Sequence, residues 1–197
     1  MRKIAFLILM TTICSTAFGS QATLIEKLEK RFKGVKSIKG TFRQTTIFPD
    51  GEKKVFEGVF YITKDKSRWD YQRPEKQTVI TIGRKVFIFD PVEKSMQQGE
   101  IDNSIFSSSN LMSNIKALKK SYRIKENGHT LHLYPLKESN ISDIAVEFDD
   151  ELNISKVTTT YKTGEKIILE FTSIKYNAPI PESVFSIEKL TGSTNVY

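Results

Sequence analysis

The side chains best suited to acid–base or metal chemistry are few in this chain. His129 and His132, in "GHTLHLYP", are its only histidines. They lie in a run with strand-like alternation, and a separation of three predicts that they point to opposite faces of a sheet. No His-Glu-x-x-His and no Gly-x-Ser-x-Gly accompanies them. The single cysteine, Cys14, sits in the apolar N-terminal segment, and Asp149 and Asp150 in "EFDDELN" read as a turn that would attract a stray cation only weakly. Without a nucleophile paired to a base, or a ligand cluster, the chain is expected to be no enzyme and to need no cofactor or metal. What remains is an aromatic face, which reads either as ordinary sheet core or as a surface for apolar matter. In "SRWDYQRPEKQ" the only tryptophan, Trp69, and Tyr71 would share one face of a strand, with Arg68, Asp70 and Gln72 on the other.

The elements that must position those rings follow from the apolar period. "MRKIAFLILMTTICSTAFGS" carries Arg2 and Lys3, an apolar run, then small residues with Ala17 and Gly19 at cleavage-site spacing. It reads as a secretory signal peptide over 1–19, too short in its apolar run to span a membrane, and leaves one domain over 20–197 in an exported compartment. The "TTI" ahead of Cys14 does not have the lead-in of a lipoprotein site, so a lipid anchor is not expected. "SQATLIEKLEKRFKGV" puts Leu24, Ile25, Leu28 and Phe32 on one helical face, with Gly34 as a stop. Beyond it the period drops to two, through "SIKGTFRQTTIF" and "KKVFEGVFYIT" to "KVFIFDP" and "KSMQQGE", and again from "SYRIKENGHTLHLYP" to "KIILEFTSIKY". "ENGH" and "KTGE" are hairpin centres. About ten antiparallel strands must twist and curl, and two amphipathic helices are there to cover the hollow side. The second helix is predicted around Leu111, Met112, Ile115 and Leu118, after a Ser/Asn-rich loop. "VFIF" and "GVFYI" are apolar on both faces, so water is expected on neither side of those strands.

Charge narrows the partners. The chain has 30 Lys and Arg against 23 Asp and Glu, a net charge of +7; without Arg2 and Lys3 it is 28 against 23, or +5. The lysines are scattered, which reads as a solvated surface and not as a nucleic-acid groove, while a basic rim for an anionic membrane or an acidic partner stays open.

The order of features resembles the LolA family, periplasmic carriers of lipoproteins bound for the outer membrane: a signal peptide, an amphipathic helix, "GTFRQT", "FEGVFYITKDKSRWDYQRPEKQ", "IGRKVFIFDP", a Ser/Asn-rich loop with a short helix, "YRIKENGHTLHLYP" and a late "APIPESVFSI". The resemblance covers essentially the whole chain after the signal. It implies a mainly β fold with helices, an unclosed antiparallel half-barrel of about 10–11 strands under an α-helical lid. It also implies an apolar cavity for acyl chains, which Phe42, Phe60, Trp69, Tyr71, Phe87 and Phe89 are expected to line. Leu111, Met112, Ile115 and Leu118 would form the lid, with Met112 suited to repacking. The family's Lys-Arg-Pro turn, whose Arg holds the lid, is absent; "TKDKSRW" offers Lys64 in that place, or Lys66, without the planar fork of arginine. Ser67 stands where the family has an apolar residue, and "EKLTG" where it has Pro-Pro-x-Gly. Implied partners are acylated lipoproteins, an inner-membrane ATP-driven lipoprotein-releasing complex, and an outer-membrane acceptor or the membrane itself, served by a monomer. A periplasmic sensing module of the same fold is the alternative; the acceptor role would need a lipidated cysteine.

Overall fold

The computed structural model describes residues 22–100 and 118–191; the segment read as a signal peptide lies outside them, as do Leu111, Met112 and Ile115. Helix α1, Leu24–Phe32, is opened by a capping box: Thr23 Oγ1 accepts from Glu26 N at 3.2 Å and Glu26 Oε2 accepts from Thr23 N at 3.0 Å. Lys30 and Arg31 sit in its last turn, where the helix dipole favours cations, and Gly34, at φ +85°, lets the chain leave in a conformation other residues avoid.

Eleven strands follow: β1 Ser37–Ile47, β2 Lys53–Thr63, β3 Lys66–Arg73, β4 Gln77–Ile82, β5 Lys85–Asp90, β6 Ser95–Glu100, β7 Tyr122–Asn127, β8 Thr130–Pro135, β9 Ile141–Phe148, β10 Ile154–Tyr161 and β11 Lys166–Tyr176. Among the described residues they form one 11-stranded sheet in the order β6-β5-β4-β3-β2-β1-β11-β10-β9-β8-β7. All pairs are antiparallel, so the sheet is two meanders joined where β1 meets β11, and it stays unclosed with β6 and β7 at its edges. The expected hairpins hold: Gly128, at φ +56°, turns β7 into β8, and Tyr161 leads through the "KTGE" turn into β11.

Residues paired across a ladder share a face, so register traces that face from strand to strand. The face under α1, here the inner face, runs through Leu131, Val146, Val157 and Leu169 to Gln44 and Phe56. Two residues along the strands it runs through Phe171, Phe42, Gly58, Tyr71 and Gln77. Leu24, Ile25, Leu28 and Phe32 of α1 pack with Leu131, Leu133, Ile144 and Val146 in the main core, and Leu28 and those four strand residues are 0% exposed. Glu126 Oε2 accepts from Leu24 N at 2.7 Å, and Arg31 donates to Asn153 Oδ1 at 2.6 Å while its guanidinium lies over the Tyr176 ring. The helix is thus fixed at both ends to the β7–β11 half.

The C-terminal segment takes the other face. A 3₁₀ turn, Glu182–Phe185, crosses β3 on the outer side, and Phe185 is buried. This accounts for strands that are apolar on both faces. In β5, Val86 and Ile88 are inner, while Phe87 and Phe89 are outer, in register with Ile80 and Thr78 of β4. One expectation fails in the second meander: His129 lies in the turn before β8 and only His132 is within the strand, so the two are not opposed across a sheet.

Candidate functional site

The inner face of β1–β5 is built from rings over glycines. Phe42 and Phe60 are 2% and 1% exposed, and with Ile38 and Ile62 they form a second core cluster. A Cβ on Gly58 would lie 2.9 Å from the Phe42 ring and 2.1 Å from Asp70 O, and one on Gly40 would meet the Phe60 ring at 3.0 Å and Ser173 O at 1.8 Å. Only glycine leaves room for those rings so close to the neighbouring backbone. Register shifts beside both positions, between Thr41 and Phe42 and between Glu57 and Gly58, bend the strands there.

Trp69 stacks on Phe60 with centroids 5.1 Å apart and meets Phe42 edge-on at 5.2 Å; Tyr71 meets Phe42 edge-on at 5.1 Å. Trp69 and Tyr71 are only half-buried, in contrast to the rings beneath them. The Tyr71 hydroxyl donates to Gln44 Oε1 at 2.9 Å, and burial holds its pKa above the ordinary tyrosine value. Next to this pair a cavity of about 660 Å³ opens, lined by Gln44, Phe56 and Tyr71 with Pro74, Gln77 and Asp90 at its rim. Along the strands the face therefore passes from rings to a polar mouth at the β3–β4 and β5–β6 turns. Such a surface has large apolar area and a few fixed polar groups, which suits binding an amphiphile. Among the described residues no cluster of His, Cys, Asp and Glu is placed to hold a metal ion.

Four of the expected lining residues, Phe42, Phe60, Trp69 and Tyr71, come together on this face. Phe87 and Phe89 do not: the β4–β5 register puts them on the outer face, and Val86 and Ile88 take the inner positions, Ile88 opposite Val79 and Val79 opposite Trp69. The period of two in "KVFIFDP" was legible, but its phase could not be set without the pairing partner. Phe171 was also missed. It meets Phe60 edge-on at 5.2 Å and joins the two halves of the face, although it lies far from Phe60 in sequence.

Of the expected lid residues, Leu118 is described, and it is buried in the α1 core. Of the two lysines expected to hold the lid, Lys64 is exposed in the β2–β3 turn. Lys66 lies on the outer face, where its ammonium binds the Glu182 carboxylate at 2.7 and 2.9 Å. That hydrogen bond, with the nearby negative charge, raises the Lys66 pKa against a smaller effect of burial. Lys66 therefore fastens the C-terminal segment and not an inner-face lid. Arg68 does the same more firmly: it donates to both Asp70 oxygens at 2.9 and 2.8 Å and to Val184 O at 2.8 Å.

The model of the family "Outer membrane lipoprotein carrier protein LolA" matches residues 33–188. The chain belongs to the LolA family. A relative from Coxiella burnetii, an outer-membrane lipoprotein carrier protein, is 24% identical over 186 residues, covering 88% of this chain and 87% of the relative. Another of that description, from Methylibium petroleiphilum, is 23% identical over 192 residues, covering 93% of this chain and 94% of its own. Among solved structures, a DUF1329 family protein from Desulfovibrio piger superposes with a TM-score of 0.53 at 12% identity, covering 85% of this chain and 96% of that one. An uncharacterized conserved protein from Thermus thermophilus gives 0.51 at 8% identity, covering 82% and 90%. At such identities the structures speak for the fold alone, and they agree with an open antiparallel sheet carrying few helices. The LolA family is one of lipoprotein carriers, which are binding proteins and not enzymes.

Proposed function

We propose that this chain is a periplasmic carrier that takes the acyl chains of lipoproteins against the inner face of β1–β5 and moves them from the inner to the outer membrane. The observation that carries the reading is the half-buried Trp69 and Tyr71 over a floor of buried Phe42 and Phe60, opening on the cavity at Gln44. The first 19 residues would direct export and be removed near Gly19. An acyl chain of roughly 15 methylenes, at about 0.8 kcal/mol each, is held to a membrane by about 12 kcal/mol. A carrier must replace most of that burial and still release its load. Rings that pack edge-on and stay partly uncovered supply apolar area without sealing it. Loading would be driven by an inner-membrane ATP-dependent releasing complex, and delivery would go to an outer-membrane acceptor or the membrane.

The test is extraction into water. Inner-membrane vesicles holding a triacylated lipoprotein and its ATP-driven releasing complex are incubated with the purified protein, and the supernatant is examined for a one-to-one complex. A soluble complex that Trp69→Glu or Val79→Glu abolishes is the expected result. A protein that stays empty of lipoprotein but binds free fatty acid would move the function to lipid sensing on the same face.

A further inference from the structure

One row of charges on the outer face alternates in sign and then stops. Register runs a ladder of alternating sign across it: Lys156 faces Glu147 and Glu170, Glu170 faces Arg43, Arg43 faces Glu57, and Glu57 faces Arg73. Lys156 Nζ lies 2.9 Å from Glu147 Oε1, and Arg73 is ion-paired with Glu57. Opposite charges facing one another across strands stabilise a sheet and leave little net field. Beyond Glu147 the ladder ends, because its partner on β8 is Thr130.

On the β7–β8 hairpin the outer positions are Arg123 and Lys125 of β7 and His132 and Tyr134 of β8. Arg123 and Lys125 are exposed, and no carboxylate faces them in the register. Both instead lie by the Tyr134 ring, with the guanidinium carbon 5.1 Å and the ammonium 5.7 Å from its centroid. Two neighbouring acids are engaged elsewhere. Glu126 caps Leu24 N, and Asp143 lies 3.4 Å from His132 Nδ1. Lys119 and Lys120 are exposed just before β7, and Leu136, 58% exposed, is held at the same end of the hairpin by its N–H bond to Ser121 O at 2.9 Å.

We propose that the outer face of the β7–β8 hairpin docks on an anionic phospholipid surface, with Arg123 and Lys125 on lipid phosphates and Tyr134 and Leu136 at the headgroup boundary. Charge complementarity supports this occupant: four cations, Lys119, Lys120, Arg123 and Lys125, stand at one edge of the sheet, and no carboxylate faces the two that lie in the strand. The apolar components favour a lipid surface over an acidic protein. A tyrosine with its ring lying under cations and an exposed leucine beside it form the amphipathic set that membrane interfaces select. An acidic peptide would be recognised through side-chain pockets, which a lipid surface does not need. The surface is on the side of the sheet away from the aromatic inner face, so it acts whatever that face carries.

The experiment is co-sedimentation of the purified protein with vesicles of phosphatidylcholine alone or mixed with phosphatidylglycerol, at low and at raised salt, with no lipoprotein present. Binding to the mixed vesicles only, weakened by salt, is expected. Each cation removed should lower partitioning by roughly fivefold, so Arg123→Gln/Lys125→Gln loses roughly 25-fold, and Arg123→Glu/Lys125→Glu loses more again. Lys53→Glu/Lys54→Glu imposes the same charge change at exposed sites on β2 and should keep most of the binding. Leu136→Ser should weaken binding without altering its salt dependence. Equal losses in the two Lys/Arg→Glu pairs would reduce the effect to net charge and overturn the docking surface. Failure to bind mixed vesicles, with binding instead to an acidic polypeptide such as polyglutamate that Arg123→Glu/Lys125→Glu abolishes, would assign the face to a protein and overturn the lipid proposal.

Discussion

The two halves of the inner face start from similar strands and end in different states. Under α1 the centre of the β7–β11 half is aliphatic and closed, with Leu131, Leu133, Ile144 and Val146 all 0% exposed, and the rings it holds, Phe32, Tyr122 and Phe148, are buried. The β1–β5 half is aromatic, and its upper layer, Trp69 and Tyr71, is only half-buried. Branched aliphatic side chains fill a gap between a helix and a sheet densely and leave nothing to open. Rings packed closely over glycines make a floor that is buried below and available above. The difference separates a part of the molecule that holds the fold from a part that can hold something else.

The sharpest way to break that comparison is Leu28→Ala, which cuts into the closed half. Leu28 is fully buried, and removing its side chain should cost about 2–5 kcal/mol in chemical denaturation. The molecules that remain folded should take cargo as before. Trp69→Ala should do the reverse: a smaller stability loss, because the ring is half-exposed, with extraction of lipoprotein lost. If Leu28→Ala and Trp69→Ala affect stability and extraction in the same proportion, the two halves are not functionally distinct.

Gly58→Ala tests the floor itself. The new Cβ would sit 2.1 Å from Asp70 O, so the β2–β3 pairing must move, and the Phe42 ring, 2.9 Å away, must tilt. A loss of roughly 1–3 kcal/mol is expected, with changed near-ultraviolet dichroism from Trp69 and Tyr71 as the sign that the rings have shifted. Arg68→Ala tests what lies behind the floor. It removes the charged hydrogen bonds to Asp70 and to Val184 O, and leaves Asp70 with Thr78 Oγ1, at 2.7 Å. A loss of about 1–3 kcal/mol is expected, with faster proteolytic cleavage near the Glu182–Phe185 turn.

How far such positions could be read from sequence depends on whether they rest on local or non-local pairing. α1 was legible to the residue on its buried face, because Leu24, Ile25, Leu28 and Phe32 repeat with the helix's own period. The strands, their hairpins and the open sheet were legible from alternation and turn chemistry. The pairing of Trp69 with Tyr71 followed from the same period within one strand. The assignment of Phe87 and Phe89 to the cavity did not survive, because the phase of β5 is set by its register with β4 and not by its own residues. The sequence around Lys66 does not show its partner, because Glu182 returns from far away in the chain. No short motif marks either contact.

The smallest expected effect concerns the polar mouth of the aromatic half. Tyr71→Phe keeps the ring packing against Phe42 and removes the hydroxyl that Gln44 Oε1 accepts from, so stability should fall by about 0.5–1.5 kcal/mol near neutral pH. Burial raises the Tyr71 pKa in the folded protein, which means that folding favours the protonated phenol. The stabilisation linked to that proton is full below the ordinary tyrosine value and is lost as pH rises through the raised folded value. Tyr161 and Tyr176 are raised by burial as well, so the alkaline loss of stability should be reduced in Tyr71→Phe and not abolished. Phenolate absorbance separates the three: the late-titrating component missing from Tyr71→Phe should move to still higher pH in the wild-type protein when an amphiphile fills the cavity, because the ligand displaces water from the hydroxyl. If occupancy leaves that component in place, Tyr71 does not face the ligand, and the polar mouth is a structural border of the sheet instead of the entrance to its binding face.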